Sequence, residues 1–374
     1  MLSAPASASP RTPFFLTSAF FLLLLTNLSC LASDAQPIRL QGETMGTTYH
    51  ITVLPSTTSP DAATLHRVVE ARLKKINTGL SVFDPQSEIS RFNKLTDTSA
   101  CTPLSADLAE VMRVGKQVHV LSGGAWDATV GPLVRLWGFG PGHKPGPPAV
   151  PPDADIARAR ERTGFHLLEI RSDGVNPPCL KKGRADLALN LGSVAKGFGV
   201  DAVAAALAEK GVVDCMVEIG GEVMAKGRRP GGKSWLIGIN VPRPDASPTE
   251  VFRAVRLSDA AMATSGDYRN FFRVGGKRMS HIIDPRTGRP TEHGVVAASV
   301  IAPNCTLADA LATALMVMDP EKGKAAVESL PGVECLILSR TDGKQRKETA
   351  SAGFAAYVER LPRQAASARH SKKY

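Results

Sequence analysis

Asp309 and Thr313 stand four residues apart in the stretch Thr306–Met318, whose spacing predicts a helix, so their side chains project from one face about one turn apart. A carboxylate and a hydroxyl are hard oxygen ligands, the kind Mg²⁺ takes when substrate phosphates fill its remaining positions. A capping or solvated aspartate, beside a threonine bonded back to its own helix, is the alternative that spacing leaves open. Asn190-Leu191-Gly192-Ser193-Val194-Ala195-Lys196-Gly197 places small residues where a loop enters a helix. Backbone groups there can approach a ligand closely, the helix N-terminus favours phosphate, and Lys196 in the first turn adds a point charge. The run lacks the spacing of a Walker loop or a dinucleotide fingerprint, and an ordinary glycine turn has the same composition. Ser280-His281-Ile282-Ile283-Asp284-Pro285-Arg286-Thr287-Gly288 sets a histidine beside an acidic turn that Pro285 and Gly288 sharpen. A lone histidine is more often structural, yet neutral imidazole is the usual general base near neutral pH. Gly220-Gly221-Glu222 and Gly266-Asp267-Tyr268-Arg269 read as polar, glycine-bearing turns.

These residues need elements to position them. Thr47–Leu54 alternates polar and apolar side chains with β-branched residues and predicts a half-buried strand. Helical spacing runs over Asp61–Ile76, Ala106–Leu121, Asp153–Thr163, Ser193–Lys210 and Glu321–Ser329, with glycines just beyond several of the ends. Val213–Ile219, Trp235–Val241, Phe252–Leu257 and Val295–Ile301 read as strands. Six prolines between Gly140 and Pro152 exclude a helix or central strand there and mark a surface excursion or linker. Helices and strands interleave irregularly, with short polar turns between adjacent strands, which favours α+β over a doubly wound parallel sheet.

The chain has 374 residues, 43% of them hydrophobic, enough for a substantial core. Its N-terminus carries one cation, Arg11, then an apolar run from Phe14 to Leu25, then small residues. Residues 1–32 read as a secretory signal, the run being short of the roughly twenty residues that span a bilayer. Leu28-Ser29-Cys30 adds the option of cleavage before Cys30 and a lipid anchor on its thiol, although Asn27 stands where such signals carry an apolar residue. Residues 33–360 form the expected domain, and 361–374 a basic tail. The formal net charge of +10 is compatible with anionic substrates, lipid or nucleic acid. With 5% aromatic residues and no recognised motif, nucleic acid is not expected. Cys101, Cys179, Cys215, Cys305 and Cys335 include no CxxC pair, which argues against zinc, and their connectivity is open.

Taken together and in order, these stretches resemble the ApbE family of FAD:protein FMN transferases. Gly42-Glu43-Thr44-Met45-Gly46-Thr47, Ser81–Asn93 and Trp126–Val134 are similar to its first three motifs. Asn190–Gly197, Val217–Glu222, Thr264–Tyr268, Ser280–Gly288 and Ala308–Thr313 are similar to the remaining five.

The resemblance implies mixed sheets with packed helices in two fused lobes around a FAD cleft. It also implies an Mg²⁺-dependent enzyme that moves FMN from FAD onto a Thr or Ser of a target protein and releases AMP. By motif position, Met45, Phe83, Ala125, Trp126, Asp127, Asn190, Lys196 and Ile283 hold FAD. Asp309, Thr313 and the main-chain oxygen of Ser193 hold Mg²⁺, His281 is the base, and Asp284 orients the turn or His281. Phe83 stands where tyrosine is commoner and keeps the stacking face. Asn190 stands where aspartate is usual and exchanges a carboxylate for an amide. Export makes membrane electron-transport subunits the expected acceptors, reached from the periplasmic face of the membrane or the soluble periplasm. A FAD pyrophosphatase with water as nucleophile shares nearly the same site. A non-catalytic flavin-binding lipoprotein would not need Asp309, Thr313 and His281 together.

Overall fold

Along Thr47–Leu54 the side chains of Tyr49, Ile51 and Val53 are buried while His50 is exposed, the alternation of a strand with one face on a core. This strand hairpins with Ile38–Thr44 and belongs to an eight-stranded sheet, all of whose neighbouring pairs are antiparallel. The order across the sheet is Ile38–Thr44, Thr47–Leu54, Asp214–Ile219, Glu222–Lys226, Ala260–Gly266, Val295–Ala302, Glu334–Arg340 and Arg346–Ala350. That is also their order along the chain, so every other element is an insertion into a meander. The computed structural model describes residues 36–139, 149–172, 177–247, 249–267, 271–274, 277–340 and 346–360. The signal-like segment with Cys30, most of the proline-rich run, Tyr268 and the basic tail lie outside the described residues.

The architecture is α+β. The helices Ala62–Leu80, Ala106–Leu121, Ala195–Ala208 and Cys305–Val317 bury their apolar faces in two clusters shared with the sheet. A hairpin of Trp235–Asn240 and Val251–Leu257 joins Val223, Met262 and Leu336 in a third cluster. Val295–Ala302, packed on both sides, is buried at all eight positions, which is why it reads as a continuous apolar run rather than an alternating one.

Several expected bounds move. The helix expected over Asp61–Ile76 is capped by Asp61, whose side chain accepts from Thr64 N, and continues to Leu80. The one expected over Asp153–Thr163 ends at Arg160. That over Ser193–Lys210 starts at Ala195, leaving Ser193 and Val194 in the preceding loop. Ile38–Thr44, Glu222–Lys226 and Ala260–Gly266 gave no strand signal: small residues dominate the last, and burial by tertiary contacts overrides weak propensity.

Cys101 and Cys179 are joined in a disulfide, while Cys215, Cys305 and Cys335 are buried thiols. The bond sits on a small three-stranded sheet in which Pro103 is paired with Cys179. It closes a loop of sequence separation 78, which by chain entropy is worth about 4 kcal/mol. Replacing both cysteines by serine should therefore lower the stability by about that amount, read from urea denaturation midpoints. A midpoint equal to that of the oxidised protein would show that the loop is already held by its packing.

Candidate active site

The Ala195–Ala208 and Cys305–Val317 helices approach closely because Gly197 has no side chain at their crossing. A Cβ placed on Gly197 would lie 2.3 Å from the Cys305 carbonyl oxygen and 2.7 Å from Asp309 Cβ. This proximity lets Gly197 N donate to Asp309 Oδ2 at 2.9 Å. The loop-to-helix run was expected to offer its N-terminal N–H groups to a phosphate; the Gly197 N–H is instead taken by the buried Asp309 carboxylate. One turn further on, Thr313 Oγ1 shares a hydrogen bond of 3.1 Å with Ser265 Oγ at the end of the Ala260–Gly266 strand.

Lys196 lies beside this pair. Its Nζ is 2.7 Å from Glu222 Oε2 and 3.9 Å from Asp309 Oδ1. The Glu222 contact is a short salt bridge to a carboxylate that is itself buried. Burial penalises the Lys196 charge most strongly, but Asp309 and Glu222 together outweigh it and hold the group as an ammonium, above the ordinary lysine value. Burial pushes the Glu222 carboxyl upward as well, and the Lys196 ammonium at 2.7 Å pulls it back toward the ionised form.

These residues share one wall of a cavity of about 690 Å³, within the size range of ligand pockets. The structure brings Ala125, Trp126, Asp127, Asn190, Ser193, Lys196, His281, Ile283, Asp309 and Thr313 to its lining. Trp126 is buried, its ring over Gly115 where no side chain intervenes, and its Nε1 donates to Ser193 Oγ at 2.9 Å. The Asp127 carboxylate accepts from Thr129 N and Oγ1 and from Phe165 N, which anchors the loop. Asn190 Oδ1 accepts from Gly192 N at 3.0 Å, closing the turn that leads to Ser193. The His281 ring faces Phe139 edge-on, with centroids 6.2 Å apart.

Three expected site residues stand outside the lining. Met45, at φ 51° in the turn between the first two strands, directs its side chain to the core beside Gly199. Phe83 is 76% exposed, on a loop held by Ser87 Oγ donating to Ser81 O. The Asp284 carboxylate accepts from Arg286 N, Nε and Nη2 at 2.8–2.9 Å, and so organises its own turn. Conversely, sequence reasoning left Glu222 as a turn residue and did not single out Ser265 or Phe139. The signal for Glu222 was present: an acid directly after two glycines with φ of 60° and 103°, in a two-residue strand connection.

The donor chemistry around Asp309 fits a hard divalent cation. It combines one buried carboxylate and a hydroxyl one turn away, on a cavity lining that Ser193 shares. No group of three or more His, Cys, Asp or Glu side chains converges among the described residues, so such an ion would take most of its shell from substrate and water.

Residues 45–337 match the sequence profile of the ApbE family. This chain belongs to the ApbE family. Among ApbE relatives, the FAD:protein FMN transferase of Vibrio cholerae is 39% identical over 341 residues, covering 90% of this chain and 98% of that protein. That of Haemophilus influenzae is 37% identical, covering 84% and 90%. The solved structure of the flavin transferase ApbE from Vibrio cholerae superposes with a TM-score of 0.77 over 86% of this chain and 99% of its own. The apo flavinyl transferase ApbE of Pseudomonas stutzeri, 37% identical, gives 0.76 over 86% and 96%. The α+β meander with inserted helices is thus the ApbE fold.

Proposed function

We propose that this chain is a FAD:protein FMN transferase that joins FMN through a phosphoester bond to a threonine or serine of target proteins and releases AMP. The observation that carries it is the convergence of Asp309, Thr313, Ser193, Lys196 and His281 on one cavity, in a chain whose relatives bear that activity in their names. In the reaction the acceptor hydroxyl oxygen bonds to the phosphorus on the FMN side of the pyrophosphate. The bond from that phosphorus to the bridging oxygen breaks, and AMP departs with the electron pair. Lys196 supplies positive charge to the phosphates, and Trp126 holds Ser193 so that its loop faces them. His281 receives the hydroxyl proton. Mg²⁺ held by Asp309, Thr313 and the Ser193 main-chain oxygen would neutralise the charge on the phosphate oxygens.

The Cys101–Cys179 disulfide supports action in an oxidising compartment, as the N-terminal apolar run does. The acceptors are accordingly proteins, such as membrane electron-transport subunits, that present a threonine or serine outside the cytoplasm. The test is mass spectrometry of such a protein after incubation with the enzyme, FAD and Mg²⁺. The expected result is a mass increase of one FMN less water, with one AMP released per acceptor. AMP released at the same rate without acceptor would replace this reading with a FAD pyrophosphatase.

A further inference from the structure

Two buried carboxylates compete for one ammonium at the wall of this cavity. Lys196 Nζ is 2.7 Å from Glu222 and 3.9 Å from Asp309. Of the two Asp309 oxygens, Oδ2 is committed to the Gly197 N–H, so Oδ1, the one facing Lys196, is the oxygen left for another partner. A charge-assisted N–H···O contact closes at about 2.8 Å, so a shift of roughly 1 Å would carry the ammonium onto Oδ1. A lysine seated there would exclude a dication by both volume and charge.

The hairpin between Asp214–Ile219 and Glu222–Lys226 opposes that shift. Its two-residue turn, with both glycines at positive φ, sets Glu222 at the first position of the returning strand. The turn also lies close against the lysine stem: a Cβ on Gly220 would meet Lys196 Cδ at 3.2 Å and Thr47 Cγ2 at 2.8 Å. Glu222 is buried, and the Lys196 ammonium is the salt-bridge partner of its Oε2. A buried carboxylate is costly unless paired, and the ammonium at 2.7 Å is the charge that offsets it, so the two groups hold each other in place.

We propose that Glu222 is a positioning residue that holds the Lys196 ammonium off Asp309 and thereby keeps Asp309 Oδ1 open to a divalent cation. The proposal rests on the reading of Asp309 and Thr313 as the cation site. It differs from that reading in its prediction for Lys196: the lysine is a competitor of the metal, and Glu222 restrains it.

The test is titration of the ligand-free protein with Mn²⁺, read by electron paramagnetic resonance of the unbound ion, with thermal denaturation of every variant alongside. Glu222→Gln should weaken Mn²⁺ binding about tenfold, whereas the same change made in a Lys196→Met background should weaken it less than about threefold. Lys196→Met alone should bind Mn²⁺ at least as tightly as the parent. Equal losses from Glu222→Gln in both backgrounds would make Glu222 a ligand of the ion and overturn the proposal, as would no loss in either. Should Glu222→Gln unfold, Lys196→Met decides alone, because weaker Mn²⁺ binding in that variant would show that the ammonium is not a competitor. Mn²⁺ binding that survives Asp309→Asn would remove the underlying cation reading, an outcome distinct from the others.

Discussion

Asp309→Asn is expected to reduce Mg²⁺-dependent FMN transfer by a factor of about 10³ or more while FAD binding largely survives. The amide keeps the volume of the side chain and can still accept from Gly197 N, so the contact between the two helices persists. What it loses is the negative charge a hard cation needs, and Thr313 alone cannot replace it. Asp309→Ala should lose transfer as completely, and would also leave the buried Gly197 N–H without its acceptor. Single-turnover transfer to an acceptor, followed by mass, measures the first quantity, and quenching of flavin fluorescence measures the second. Undiminished turnover in the asparagine variant would remove Asp309 from the reaction.

His281→Ala is expected to slow transfer by about 10²–10⁴, the span of general base catalysis, with FAD still bound. The residue lies on the cavity wall beside Phe139, on the segment that follows the Phe271–Val274 and Lys277–Ser280 hairpin. Its replacement removes a proton acceptor without opening the main core, which lies under other elements. Added imidazole should restore part of the rate, and the pH dependence of the rescued reaction should follow the added base. An unaltered rate in the alanine variant would assign the proton to another group or to solvent.

How far the sequence reveals this site depends on what each residue answers to. Asp309 and Thr313 were legible because helical spacing is local: i and i+4 share a face whatever lies opposite. The ladder between Thr47–Leu54 and Asp214–Ile219 was legible as two strands but not as a pair, because pairing joins residues far apart along the chain. Glu222 is the instructive miss. Its position after two glycines marks a turn, and only the packing of that turn against Lys196 converts it into part of the site. Met45 and Phe83 were named from motif position alone, and their surroundings, one beside Gly199 and the other exposed, could not be read from spacing. The disulfide could not have been read at all, since five cysteines without spacing signatures leave every pairing open.

The meander carries a consequence for how the chain assembles. The hairpin ending at Leu54 finds its next neighbour only at Asp214, after the helices and the small disulfide-bonded sheet have been synthesised. Until then Thr47–Leu54 presents an open row of backbone donors and acceptors, the kind of edge that captures other chains. The Cys101–Cys179 pair lies wholly inside the intervening segment, so its oxidation can shorten the effective span between the two strands before they meet. Nascent chains denied that oxidation would expose the edge for longer. Their failure would appear as aggregation during folding, even where the finished protein tolerates reduction.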